Sequence, residues 1–157
     1  ILCRHRDALT QALHMTGSYI IYSENRDGML YSADMSRRAR AVELWATLMA
    51  LGRSGVAGLI EDLQQKAVYF ADGLRQAGFN VLNEVCFNQV LVSSGEPQQT
   101  KELLKLIQGY GECWCGGANW HGDDVIRISV CSFRTTRQDI DRSVQAFVAA
   151  REKLNAG

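Results

Sequence analysis

The side chains able to do chemistry in this sequence fall in a few places. Tyr19 follows Gly17 and Ser18 in a stretch with no hydrophobic periodicity. A phenol on a mobile loop can hand a proton to a reacting carbon once the loop closes, and it can equally pack as a plain surface tyrosine. Arg127 stands between Ile126 and Ile128. A guanidinium flanked by aliphatic residues must reach solvent, a carboxylate or a bound anion. Cys113, Cys115 and His121 could be drawn as metal ligands, but C-x-C with one histidine supplies three, and a structural zinc site takes four. No metal is expected, and two thiols at alternate positions share a face in any buried strand. Gly116 and Gly117, next along the chain, suit either close approach of a ligand or a strand bulge. Arg37, Arg38 and Arg40 form the basic cluster of the chain. Its members fall on different faces of a helix start, as on a solvated or ion-paired surface. The sequence has no G-x-G-x-x-G, P-loop, H-E-x-x-H or G-x-S-x-G, so the reactions those motifs support lose their basis.

The elements that must position these groups follow from periodicity and turn residues. Residues 4–13 suit a short helix, and 14–35 read as a long irregular stretch, a length that marks mobile or functional loops. Ser36 can cap a helix running to Leu51 and ending at Gly52, with Val42, Trp45, Leu48 and Met49 on one apolar face. Val56, Leu59, Ile60, Leu63, Ala67, Phe70 and Leu74 recur at helical spacing, and Gly78 is suited to end that helix. Residues 79–85 and 89–93 read as strands rich in β-branched and aromatic types. Pro97 opens a helix through Leu103, Leu104 and Ile107. Residues 112–120 and 124–132 read as paired strands joined through His121, Gly122 and Asp123, with Ile126, Ile128 and Val130 on one face and Arg127, Ser129 and Cys131 on the other. A last helix begins near Thr136, with Asp139 three residues on in a capping-box arrangement, and buries Ile140, Val144, Phe147, Val148 and Leu154. This order predicts an α+β fold, a small antiparallel sheet covered by helices.

Composition narrows the classes. With 157 residues, 46% hydrophobic and 22% charged, the chain can bury a sizeable core and is neither disordered nor fibrous. Its 17 basic and 17 acidic residues cancel, which removes the basic stripe of a nucleic-acid binder. No apolar run approaches a membrane span. The five cysteines are an odd number, several within apolar runs, and point to a reducing, cytoplasmic setting. The chain opens at Ile1 without an initiator Met and reads as a piece of something longer.

Long stretches also resemble one family. Ser36-Arg37-Arg38-Ala39-Arg40-Ala41-Val42-Glu43-Leu44-Trp45, with Gly52 seven residues on, is similar to the R-R-x-R-x-x-x-x-W…G segment of the group II pyridoxal-phosphate-dependent amino acid decarboxylases, which include the glutamate and aromatic L-amino acid enzymes. Gly17-Ser18-Tyr19-Ile20 resembles the family's S-Y-L segment, and Val125-Ile126-Arg127-Ile128-Ser129-Val130 resembles its L-R-x-x-x strand before the final helix. The resemblance spans nearly the whole chain. It implies that 36–157 form the C-terminal small domain of a fold-type I enzyme and that 1–35 carry the end of the large cofactor domain with a mobile catalytic loop. It further implies pyridoxal 5'-phosphate as cofactor, an amino acid substrate and a cytoplasmic homodimer. In the family, the tyrosine matching Tyr19 reaches the partner subunit's active site and protonates the carbon left when carbon dioxide departs. The arginine matching Arg127 projects towards the substrate, where it can hold a carboxylate. The family's cofactor lysine follows a histidine, whereas Lys66, Lys101, Lys105 and Lys153 here do not, so the segment is expected to be inactive alone. Two alternatives stay open: another fold-type I enzyme, such as an aminotransferase or carbon–sulfur lyase, and a non-enzymatic α+β dimerisation or ligand-binding module.

Overall fold

A computed structural model describes residues 3–18, 20–22, 24–33 and 38–156. The chain divides into two compact units, Ile1–Met49 and Ala50–Gly157. In the first, helix α1 spans Arg6–Ala12 and a single 3-10 turn spans Gly28–Tyr31. The intervening irregular stretch is tied by side chains. The Tyr22 hydroxyl donates to the Met15 carbonyl at 2.5 Å and accepts from the Met15 N–H at 3.1 Å, while its ring stacks on His14 at 4.5 Å. Arg6 Nε donates to the Tyr31 hydroxyl at 2.7 Å, and the Arg26 guanidinium lies 4.4 Å from the same ring.

Helix α2 spans Arg40–Gln76 and crosses the division between the units. Its helical dihedrals are interrupted at Gly52, where φ is 62° and ψ is −177°. That region is open to glycine almost alone, so the residue both ends one helix and starts the next, at the expected place. On the earlier part, Val42, Trp45, Leu48 and Met49 form the expected apolar face but are exposed, at 58%, 62%, 47% and 68%. The expected cap Ser36 lies outside the described residues.

The second unit holds the core. The later part of α2 buries Leu63, Ala67, Phe70, Ala71 and Leu74. It closes on a Schellman motif, in which the Phe79 N–H donates to the Leu74 carbonyl and the Gly78 N–H to the Arg75 carbonyl, both at 2.9 Å. Gly78 takes the left-handed conformation this closure needs, at φ 78°, and Phe79 turns into the core. Strands β1 (Asn80–Val81), β2 (Gln89–Ser93), β3 (Gly116–Trp120) and β4 (Asp123–Ser129) form one antiparallel sheet in the order β1-β2-β4-β3. Helix α3 spans Pro97–Tyr110, with Pro97 in its first turn and Gly111 beyond its end. Helix α4 spans Arg137–Ala156. Its start carries the expected capping box, with the Asp139 N–H donating to Thr136 Oγ1 at 3.2 Å and the Thr136 N–H to Asp139 Oδ2 at 2.8 Å. The fold is α+β, as expected.

Side chains from the helices and one sheet face make a single core around Phe147, which is fully buried and meets Phe70 and Phe79 edge-on at 6.1 and 5.7 Å. Cross-strand pairs Val90 with Ile128 and Val92 with Ile126 face this core.

Three expected strands are shorter than anticipated, among them the last, expected over 124–132 and observed over Asp123–Ser129. The first was placed over 79–85 and covers Asn80–Val81. Beyond it the Asn83 amide stands in for the ladder: its Oδ1 accepts from the Leu91 N–H at 2.8 Å and its Nδ2 donates to the Gln89 carbonyl at 3.1 Å. An asparagine side chain competes with the strand backbone in this way. The third was placed over 112–120 and begins at Gly116, because the Cys115 carbonyl is taken by Gln108 Nε2 of α3 at 2.8 Å. His121 and Gly122, with φ of 53° and 96°, make the two-residue turn into β4.

Candidate functional site

Strand β4 sets the placement of Arg127. Alternation puts Ile126 and Ile128 in the core and leaves Arg127 and Ser129 exposed on the other sheet face. Arg127 pairs across the ladder with Leu91 of β2 and Gly116 of β3. Leu91 gives its aliphatic stem an apolar neighbour, and Gly116 adds no side chain on the other flank, where even a Cβ would meet nothing within 4 Å. One step along the same face, Gln89 Nε2 lies 3.5 Å from Ser129 Oγ. Among the described residues no carboxylate pairs with Arg127. The result is a polar sheet face with one uncommitted guanidinium, whose fork of donors matches a carboxylate or phosphate.

Tyr19 lies outside the described residues, as does Arg37. Arg38 forms an ion pair with Glu43 and is mostly exposed, and Arg40 is exposed at the start of α2. Both have the character of surface charge.

Cys113, Cys115 and His121 do not converge. The thiols precede β3 and the imidazole follows it, so a five-residue strand, ~16 Å at 3.3 Å per residue, separates them. The His121 ring instead meets Trp120 edge-on at 4.7 Å.

The two thiols have an arrangement of their own that reading the sequence as a strand did not reveal. Cys113 is half-buried and Cys115 buried. They share a cleft of about 190 Å³ with Glu112, Thr135, Asp139 and Ser143. The Cys115 S–H donating to Cys113, together with Ser143, brings the Cys113 thiol down to about 7 against the opposing effect of burial. Cys115 is pushed up by the same contact and by burial. Since the Ser143 hydroxyl already donates to the Asp139 carbonyl at 2.8 Å, Cys115 is the principal donor to a Cys113 thiolate. The C-x-C spacing was the available signal.

The four lysines are spread over helix surfaces. Lys66 is paired with Asp62 at 2.6 Å and Lys101 with Asp124 at 2.8 Å, while Lys105 and Lys153 are exposed on α3 and α4.

No family model matches the chain. Tyrosine decarboxylase 2 of Arabidopsis thaliana is 24% identical to it, across 90% of this chain and 29% of that protein. The Oryza sativa TDC solved with PLP and tryptamine superposes with a TM-score of 0.74 at 17% identity, over 92% of this chain and 33% of its own. Catharanthus roseus tryptophan decarboxylase, solved with L-tryptophan, gives 0.70 at 20% identity, with coverage of 92% and 33%. The chain therefore spans about a third of the length of the proteins it matches. In sequence and in its α+β fold, it is similar to part of the group II pyridoxal-phosphate-dependent amino acid decarboxylases.

Proposed function

We propose that this chain is the C-terminal part of a pyridoxal-phosphate-dependent L-amino acid decarboxylase, which as a complete enzyme is a cytoplasmic homodimer converting an amino acid to an amine and carbon dioxide. The observation that carries this reading is Arg127: an exposed guanidinium without a carboxylate partner among the described residues, on the open sheet face of a fold shared with decarboxylases. None of the four lysines fits the role of covalent cofactor anchor, since two are held in ion pairs and all lie on helix surfaces remote in sequence from any histidine. That anchor is assigned outside these residues, and the segment alone is inactive.

When bound, the cofactor supplies the electron sink for the charge left on the substrate carbon. The chain's own contributions are two. Arg127 holds a substrate carboxylate through a bidentate pair and so fixes its orientation. Tyr19 donates its phenolic proton to the substrate carbon after carbon dioxide has left. The two roles separate kinetically: contacts equally strong in ground and transition states lower KM, while proton delivery raises the turnover rate.

The test is Tyr19→Phe in the full-length enzyme, measuring amine, carbon dioxide and bound cofactor. Loss of amine formation with cofactor retained supports the assignment. Unchanged amine production overturns it. Aminotransferase or lyase products from the unmodified enzyme would instead assign the chain to another class.

A further inference from the structure

We propose that Cys113 and Cys115 form a reactive dithiol, a modification site for small-molecule disulfides in which Cys113 attacks and Cys115 resolves. The two thiols sit two residues apart in the segment that leads into β3, outside the strand ladder. That spacing puts their Cα atoms no more than ~6.6 Å apart, within the range a disulfide spans. Because 113–115 belong to no strand, the backbone can shorten slightly to close the bond without breaking cross-strand hydrogen bonds. Both cysteines line one cleft, which is large enough for a sulfur-bearing chain. Their unequal burial sets the order of events: Cys113 is reachable from solvent, whereas Cys115 is buried and reaches only a sulfur already attached next to it.

The negative charges around the pair are partly offset. Glu112 and Asp139 line the cleft and oppose a thiolate, but Arg142 binds both, at 2.7 Å and 2.6 Å. Cys115 then supplies the hydrogen bond that stabilises the Cys113 thiolate. The other cysteines, Cys3, Cys86 and Cys131, are exposed.

The chemistry balances with glutathione disulfide as oxidant. The Cys113 thiolate attacks one sulfur, the disulfide bond breaks, and glutathione thiolate leaves, giving a mixed disulfide on Cys113. Cys115, losing its proton to solvent, attacks Cys113 Sγ and expels the second glutathione thiolate. Two protein thiols are oxidised and one glutathione disulfide is reduced to two thiols.

The test equilibrates the full-length protein with glutathione disulfide, followed by tryptic mass mapping. Cleavage after Lys105 and Arg127 releases 106–127, in which 113 and 115 are the only cysteines. The expected product is this peptide lighter by two hydrogens and free of glutathione. In a Cys115→Ser variant, the same peptide should carry one glutathione on Cys113. Alkylation of Cys113 should show a midpoint near pH 7, against about 8.5 for an ordinary exposed thiol. A peptide that stays fully reduced, one carrying two glutathiones, or a Cys115→Ser variant without an adduct overturns the proposal. Thiol exchange needs no decarboxylation, so these outcomes are independent of the amine assay.

Discussion

Replacing Arg127 separates a binding role from a structural one. In Arg127→Gln, the aliphatic stem stays over Leu91 and the open space beside Gly116 is unchanged, while the charged fork is lost. Because no described carboxylate pairs with Arg127, its removal strands no buried charge. A surface change of this kind shifts stability by less than ~0.5 kcal/mol. A charge-assisted pair to a substrate carboxylate is worth ~1.5–3 kcal/mol, equivalent to about 10- to 150-fold in affinity. Steady-state decarboxylation by the full-length enzyme should therefore show KM raised by that factor with kcat little changed, at an unaltered Tm. Arg127→Lys should recover part of the loss, because the charge remains and the fork does not. Unchanged KM in Arg127→Gln would refute the assignment. A Tm lowered by several degrees would refute the structural premise that the guanidinium is uncommitted.

Further expectations concern the scaffold. Phe147→Ala empties the centre of the core between Phe70 and Phe79 and should cost ~3–5 kcal/mol in denaturant unfolding; a cost below 1 kcal/mol would mean that Phe147 is not the keystone of this packing. Asn83→Ala deprives the Leu91 N–H and the Gln89 carbonyl of their partners, at ~1–3 kcal/mol, and hydrogen exchange at Leu91 should accelerate; unchanged exchange there would contradict the role given to this side chain. The Thr136 hydroxyl, followed by the Thr136 N–H, holds the Asp139 carboxyl below the usual carboxylate range. A lowered folded-state pKa contributes stability above the unfolded value near 4 and loses it as pH falls through the folded value. Asp139→Asn should thus be the less stable protein at neutral pH, and the difference should vanish in acid; a difference independent of pH would exclude this linkage.

Local signals in the sequence were enough to determine the element order, the helix ends at Gly52 and Gly78, the start of α4 and the stripes buried by α3, α4 and the later part of α2. Gly52 and Gly78 stop helices because their positive φ is cheap only without a Cβ. Thr136 and Asp139 start one because they satisfy each other's N–H groups three residues apart. The alternation of Ile126, Arg127 and Ile128 already implied that the guanidinium and the aliphatic chains face opposite ways. Each of these depends on residues within a few positions of one another, which is why pattern alone resolves them.

Tertiary structure decided what depends on partners distant along the chain. Whether 82–85 and 113–115 extended their strands rested on Asn83 reaching Gln89 and Leu91, and on Gln108 reaching Cys115. Side-chain amides satisfy backbone groups as well as a neighbouring strand does, so propensity cannot choose between them. The thiol pair needed the same step: C-x-C spacing suggested a shared strand face, whereas unequal burial and the nearby α4 groups made one thiol reactive and the other its donor. Composition counts cysteines, but the ease with which a thiol gives up its proton depends on which atoms fold around it.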